Sequence, residues 1–200
     1  SLMHLKKYPP IRGLAVCILL VYIAAHAVMS NWSYFGMYRF GWDEKMVGIS
    51  LGVVGLLVGL VQAGLTRVIN PKLGNEKTVY IGLALYSVGM LLFGIATQTW
   101  MMFLFLIPYC LGGIAQPAIQ AVMAGHVPPN EQGELQGGMT SLMSLAAIIG
   151  PLLMNNLFFF FTHDEAPMHL PGAPFLLASV LMAVSAVIAY KTLHQKKIFA

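Results

Sequence analysis

Residues 49–65 read ISLGVVGLLVGLVQAGL, a stretch that has no charged side chain and no alternation of polar and apolar residues. A strand of a transmembrane barrel would show about ten residues of alternating polarity, whereas this stretch is apolar on every face. A helix of about 20 mainly apolar residues crosses the roughly 30 Å hydrocarbon layer of a bilayer. The stretch therefore predicts a membrane-spanning helix.

The composition of the whole chain is that of a membrane protein. Of its 200 residues, 58% are hydrophobic and only 9% are charged, whereas soluble domains carry about 25% charged residues. The charged residues cluster in short patches between long apolar runs. We predict an all-α integral membrane fold, a bundle of six transmembrane helices that forms one domain over residues 1–200. The spans are predicted at about 13–36, 47–66, 78–96, 101–124, 135–161 and 173–190.

The distribution of basic residues predicts the orientation of the bundle. An even number of spans puts both termini on one side, and most lysines and arginines fall on that side. The Lys- and Arg-rich side of a membrane protein faces the cytoplasm, so both termini are predicted to be cytoplasmic. The net charge of +4 then reflects topology and contact with anionic membrane lipid, and it does not indicate nucleic-acid binding. The basic side holds Lys6, Lys7, Arg12, Arg67, Lys72, Lys77, Lys191, Lys196 and Lys197, and the other side holds Arg39 and Lys45.

The spans divide into two trios of similar length, three before Gln98 and three after it. This division predicts a 3+3 inverted repeat, an arrangement that many secondary transporters share, with binding sites near the membrane midplane. Taken alone, the division also allows six unrelated helices of a membrane anchor.

The second and fifth spans carry stripes of small residues at helical spacing. Small residues let two helices approach closely in lipid, so each stripe predicts a packing seam. The stripe of the second span ends at Gln62 and is equally compatible with the smooth wall of a substrate cavity. The stripes consist of Gly48, Gly52, Gly55 and Gly59 in the second span and of Gly133, Gly137 and Ser141 in the fifth.

Proline and amide residues make the fourth span a candidate binding element. Pro117 lacks an N–H and crowds the carbonyl of Gly113, so a helix kink is predicted there. Gln116 and Gln120 lie one turn apart on one face, which Tyr109 extends. Amide side chains do not face lipid without partners. We therefore predict that this face turns inward, toward neighbouring helices or toward a ligand.

The fifth span has a similar arrangement of polar residues and proline. Pro151 provides a second predicted kink. Asn155 lies beyond it and shares a side of the helix with Ser144. Both side chains are predicted to face inward.

The first span places His26 inside a run, residues 13–38, that holds no Asp, Glu, Lys or Arg. Tyr22, His26, Ser30 and Ser33 fall on one helical stripe, so His26 is predicted to face a polar interior. An ordinary imidazole has a pKa of about 6.5, which makes His26 a candidate for proton coupling. The alternative is that a neutral His26 only hydrogen-bonds Tyr22 or a neighbouring helix.

The remaining polar residues do not suggest an enzyme. His163, Asp164, Glu165 and His169 lie in one short loop, where such groups are typically solvated, so no metal site is predicted. Every carboxylate falls in a predicted loop, and phosphate-binding loops and nucleophile motifs are absent. We expect no catalytic residue and no cofactor.

Four segments in a fixed order carry a resemblance to a known family. Together they resemble the C-terminal half of the tetracycline-efflux branch of the major facilitator superfamily, over about Trp32 to Leu153. The segments are WSYFGMYRFGWDEKMVGISLGVVGLL, INPKLGNEKTVYIGL, GGIAQPAIQAVM and EQGELQGGMTSLMSLAAIIGPLL.

The resemblance implies a fold and an activity. It implies twelve helices in the intact protein, of which these are the seventh to the twelfth, in a bacterial inner membrane. The implied activity is drug/proton antiport by alternating access, driven by the proton gradient, with tetracycline-like or other amphipathic drugs as substrates. The implied partners are the N-terminal six-helix half, membrane lipid and the drug, which can arrive as a metal chelate. The polar positions that fall on the family's cavity-lining helices are His26, Ser30, Gln62, Tyr109, Gln116, Gln120, Ser144 and Asn155.

The chain also departs from the family pattern. The loop after the second span keeps Arg67, Gly74 and Lys77 of the family's gating motif but lacks its acidic residue. Tetracycline pumps carry a histidine linked to proton coupling where this chain has Val58. Two alternatives to drug export therefore remain open, a membrane module that binds without transporting and an importer of a small polar metabolite.

Overall fold

The computed structural model describes residues 9–194. A π-helical turn, Val61–Leu65, joins α2 to α3, and a 3₁₀ turn, Pro129–Glu131, precedes α7. The α-helices are α1 (Pro9–Phe40), α2 (Glu44–Leu60), α3 (Thr66–Leu73), α4 (Asn75–Ile95), α5 (Thr99–Gly112), α6 (Ala115–Ala124), α7 (Gln132–Phe160) and α8 (Ala173–His194).

The helices confirm the predicted six-span architecture. Within residues 9–194, six helical stretches are long and apolar enough to cross a membrane. Most extend a few residues beyond the predicted apolar runs, because a helix keeps its backbone hydrogen bonds after its side chains become polar. The stretches are Pro10–Phe40, Glu44–Leu73, Asn75–Ile95, Thr99–Ala124, Pro129–Phe160 and Ala173–His194.

The loop predicted after the second span, from about residue 66, is helical in the structure. The helix continues through the π turn and through α3 as far as Leu73, even though Pro71 lies inside α3. Gly74 alone separates α3 from α4, with φ at 78°, a conformation that glycine adopts without steric cost. The backbone N–H of Thr78 and its hydroxyl both donate to the Gly74 carbonyl, at 3.1 and 2.9 Å. The segment that holds Arg67, Gly74 and Lys77 is therefore a sharp corner between two helices.

The packing of the helices follows the predicted 3+3 repeat. The first helix of the first trio, α1, packs on α7 and α8, and the first helix of the second trio, α5, packs on α2 and α4. The third helices of the two trios, α4 and α8, pack on each other. If the two trios are exchanged, the α1–α7 contact corresponds to the α5–α2 contact and the α1–α8 contact corresponds to the α5–α4 contact. The α4–α8 contact corresponds to itself, as a two-fold repeat requires.

Reciprocal hydrogen bonds join α8 to its neighbours. The Ser87 hydroxyl donates to the Ser179 carbonyl at 2.9 Å, and the Ser179 hydroxyl donates to the Ser87 carbonyl at 2.8 Å. On the other side of α8, the Ser185 hydroxyl donates to the Cys17 carbonyl at 3.2 Å. Small hydroxyl residues thus satisfy their polar atoms inside the bundle, as helix contacts in lipid require.

An aromatic cluster closes the end of the bundle where the connections 41–43, 96–98 and 161–172 meet, which we call the 41–43 end. The Trp42 indole N–H donates to the Thr99 hydroxyl at 3.0 Å, and the Trp32 indole N–H donates to the Ser50 hydroxyl at 2.9 Å. These bonds satisfy the polar edges of two buried rings. The rings of the cluster are Trp32, Phe35, Phe40, Trp42, Phe93, Phe103 and Phe175.

The second and fifth spans are the least buried parts of the bundle. Of their most apolar windows, 11% and 17% are buried, against at least 39% in each of the other four spans. A Cβ placed on the glycines of either stripe would meet no described atom within 4 Å. The stripes are therefore not packing seams within residues 9–194, and they leave two smooth faces open. These glycines are Gly48, Gly52, Gly55, Gly59, Gly133 and Gly137.

Candidate functional site

A hydrogen bond between α1 and α6 begins the candidate site. The Gln116 amide N–H donates to the Tyr22 hydroxyl at 3.1 Å. The fourth span is interrupted immediately before this position, at Gly113 and Ile114, between α5 and α6. The interruption lies where the missing N–H and the ring of Pro117 disfavour a continuous helix. The break therefore positions Gln116 against the first span.

The predicted common face of the fourth span does not extend to Tyr109. The Tyr109 ring packs on Tyr86 and Phe93 of α4, with ring centroids 5.3 and 5.4 Å apart. Gln116, beyond the break, contacts α1. An uninterrupted helix would have kept the two side chains on one face, so the change of direction at Gly113 separates them. The expectation that Tyr109 continues the Gln116 face is wrong.

We expect the Tyr22–Gln116 bond to stabilise the contact between α1 and α6 measurably. In a double-mutant cycle of Tyr22→Phe and Gln116→Leu, the two changes should be non-additive by ~1 kcal/mol, since hydrogen bonds between membrane helices are of about that strength. The free energy of unfolding in mixed micelles measures the coupling. Additive effects would show that the bond does not form in the membrane.

His26 lies where α1 packs on α7, opposite Gly150. A Cβ on residue 150 would overlap the His26 ring, so glycine is required at that position. The imidazole makes no hydrogen bond with any residue between 9 and 194. Tyr22, which the sequence offered as its partner, is instead bonded by Gln116. His26 is thus held by packing alone, and its ring nitrogens have no protein partner in the part of the chain that the structure describes.

A small cavity lies between α1 and α7, beyond His26 along both helices. We call the strip of the α1–α7 interface from His26 to this cavity the α1–α7 groove. The cavity has a volume of about 250 Å³ and is lined by Asn31, Tyr34, Asn155 and Phe158. Beyond it, the Tyr38 hydroxyl donates to a carbonyl in the loop after α7, at 3.2 Å. The two helices run in the same direction, so the groove leads from His26 toward the 41–43 end.

Asn31 is a site residue that the sequence interpretation missed. Its side chain is completely buried. Neither its amide nitrogen nor its carbonyl oxygen has a hydrogen-bond partner among the described residues. The available signal was an amide inside an apolar span, which is costly unless its polar atoms are satisfied.

The other predicted site residues do not join this groove. Gln62 lies in the π turn and is exposed, and π turns often mark functional positions in helices. Ser144 is exposed and donates to the Thr140 carbonyl of its own helix at 3.0 Å. Gln120 and Ser30 are partly buried. The ligand-contacting roles of these residues stay predictions.

The remaining predicted features lie outside the groove or next to it. Arg67 and Lys77 are exposed on either side of the corner at Gly74. At Pro151, directly after the His26 contact, α7 continues without a break, so a kink there stays a prediction. The described side chains therefore divide most of the predicted site into the Tyr22–Gln116 bond, the α1–α7 groove and an exposed set. Ser30, Tyr109 and Gln120 belong to none of these groups.

Comparison with known proteins identifies the family. The family model described as Major Facilitator Superfamily matches residues 14–198. The chain belongs to the major facilitator superfamily. The superfamily assignment agrees with the six spans and with the repeat in their packing, and it indicates a membrane transporter.

The curated relatives include tetracycline resistance proteins. The class E protein of Escherichia coli is 38% identical over 144 residues, which are 72% of this chain and 36% of the relative. The class G protein of Vibrio anguillarum is 40% identical over 60% of this chain and 31% of the relative. The class H protein of Pasteurella multocida is 34% identical over 83% of this chain and 40% of the relative. The predicted resemblance to the tetracycline-efflux branch is confirmed, and the matched segments cover only 31–40% of these relatives.

Proposed function

We propose that this chain is the C-terminal half of a proton-coupled drug exporter that works by alternating access on tetracycline-like substrates. The observation that carries the proposal is the groove between α1 and α7. It holds His26 without a described partner and opens into a cavity lined by two asparagines. Relatives named as tetracycline resistance proteins support the substrate class. Buried polar groups near the centre of a transporter repeat are typical of substrate and proton sites.

The open faces of the second and fifth spans support an N-terminal half as the partner. Alternating access requires two bundles that rock about a site between them. The spans with the open glycine stripes are the second helices of the two trios, and both are mainly exposed. Smooth faces of this kind allow close helix contact in lipid. We infer that the missing bundle covers them.

The distribution of charge supports a cytoplasmic location for both termini in a bacterial inner membrane. Arg39 and Lys45 flank the connection at the 41–43 end, and Arg12, Arg67 and Lys191 lie near the opposite end. The lysine-rich end faces the cytoplasm in inner-membrane proteins. The other basic residues of the prediction at the termini, Lys6, Lys7, Lys196 and Lys197, lie outside the described residues.

We expect transport only when both halves are present. Everted vesicles that contain this chain and a matching N-terminal half should accumulate tetracycline when a pH gradient is imposed. Vesicles that contain this chain alone should show no accumulation above protein-free vesicles, because one bundle cannot alternate access by itself. Radiolabelled drug uptake, with and without a protonophore, measures the difference. Uphill flux by a demonstrated monomer of this chain would contradict the proposal.

A further inference from the structure

We propose that Asn31 and the cavity between α1 and α7 form a subsite that binds a primary carboxamide group of the transported drug. This inference rests on the proposed function, and it names the chemical group that this part of the site recognises. The observations that carry it are the burial of Asn31, its two unpaired polar atoms and the cavity that it lines.

The unpaired amide of Asn31 is costly in the absence of a ligand. A buried donor or acceptor without a partner costs about 1–3 kcal/mol, and Asn31 contributes one of each. Packing alone would favour a leucine at a position that is 0% exposed. The side chain borders a cavity of about 250 Å³. Its two polar atoms are closed off from water, so a group that enters this space restores both hydrogen bonds only if the amide turns toward the cavity.

The polar atoms of Asn31 determine what that group must offer. A carboxamide presents an N–H donor and a carbonyl acceptor side by side. A ligand that presents an acceptor and a donor with the same spacing pairs with both atoms at once. A second primary carboxamide has this arrangement and is uncharged. A neutral group fits because the lining residues Asn31, Tyr34, Asn155 and Phe158 carry no charge at neutral pH.

The size and walls of the cavity indicate that only part of the ligand enters. Sites that enclose a whole drug-sized ligand have volumes of about 300–1,000 Å³, whereas this cavity holds about 250 Å³. Phe158 and Tyr34 provide aromatic surface beside the amide, which suits a ring that bears the carboxamide. Tyr34 and Asn155 are exposed, so the rest of the ligand can extend from the cavity toward the bundle that completes the transporter.

The subsite is separate from the proton-coupling candidate but lies on the same groove. Asn31 follows His26 by five residues along α1, which corresponds to about 7.5 Å of helix rise. His26 contacts Gly150, and the cavity lies beyond that contact, at Asn155 and Phe158. A drug held at Asn31 would therefore lie on the 41–43 side of His26.

The test compares tetracycline, which carries a primary carboxamide, with its analogue in which a nitrile replaces that carboxamide. Binding of each compound to lipid nanodiscs that contain the full 200-residue chain together with a matching N-terminal half is measured by equilibrium dialysis against empty nanodiscs. We expect the wild-type chain to prefer tetracycline about tenfold, which corresponds to about 1.4 kcal/mol. Asn31→Leu should remove the preference. Asn31→Ser, which is too short for both bonds and is tolerated in helices, should reduce it to threefold or less.

Asn156→Leu is the matched control. Asn156 is the same residue type one position after Asn155, but its amide donates to the Leu152 carbonyl of its own helix. This variant should keep the tenfold preference. The thermal midpoint of the ligand-free chain is a second measurement, and Asn31→Leu should leave it unchanged or raise it because the unpaired polar atoms disappear.

Three outcomes would overturn the inference. An unchanged preference in Asn31→Ser or Asn31→Leu would show that the carboxamide binds elsewhere. A lower thermal midpoint in ligand-free Asn31→Leu, together with a retained preference, would show that Asn31 has a structural partner. A wild-type chain that binds neither compound above empty nanodiscs would reject the tetracycline assignment in the proposed function, and this inference with it.

Discussion

Gly82→Leu is expected to destabilise the bundle by ~3 kcal/mol or more, because α4 and α6 touch at this residue. A Cβ on residue 82 would lie 2.8 Å from the backbone nitrogen of Ala115 and 3.0 Å from its Cα. A flexible side chain could move away from the added atoms, but a helix backbone moves only if the two helices separate. Most of the contact between the third and fourth spans would then be lost. The unfolding midpoint of the chain in mixed micelles measures the effect.

Gly52→Leu is the matched control for this prediction. It places the same side chain in a helix of the same bundle, where a Cβ on residue 52 meets no described atom within 4 Å. The free energy of unfolding should change by about 0.5 kcal/mol or less, as is usual for substitutions on an uncontacted surface. Equal midpoints for Gly82→Leu and Gly52→Leu would mean that α4 and α6 do not approach as the structure has them.

The spans could be predicted because crossing a bilayer imposes a length and an apolar composition on each helix. The helix after residue 66 was missed because half of residues 66–73 are polar and the segment includes Pro71. Hydropathy reports contact with lipid, whereas backbone hydrogen bonding decides where a helix ends. A break at Pro117 could be expected from proline geometry. The separation of Tyr109 from the Gln116 face could not be expected, because helical spacing assumes an unbroken helix.

Two features of the site depend on neighbours that no single helix reveals. Asn31 lies beside the stripe of Tyr22, His26 and Ser30, so periodicity within α1 did not select it. Its importance follows from the packing of α7, which buries it and leaves a cavity. The glycine stripes were selected by periodicity as packing seams, but they make no contact within residues 9–194. Small residues indicate close helix contact, but the sequence does not say whether the partner belongs to the same chain.

His26→Gln is expected to uncouple drug movement from the proton gradient in the assembled transporter. The alternative to a proton role was a structural hydrogen bond to Tyr22 or to a neighbouring helix. Gln116 bonds the Tyr22 hydroxyl, and His26 has no hydrogen-bond partner among residues 9–194. The carboxylates of residues 9–194 all lie in loops or in the first turns of helices. His26 is therefore the mid-span group in this half whose ordinary pKa, about 6.5, is closest to neutral pH.

Glutamine keeps the approximate size and the hydrogen-bonding capacity of the imidazole but does not titrate. We expect uphill tetracycline flux driven by a pH gradient to fall about tenfold or more in His26→Gln. Drug exchange between equal pH values, which needs only alternating access, should stay within about twofold of wild type. Ser33→Ala, on the same stripe but outside the predicted ligand-contacting set, is the control and should retain both activities. If His26→Gln still drives uphill flux with the wild-type dependence on pH, the proton travels through the other half and His26 only packs against Gly150.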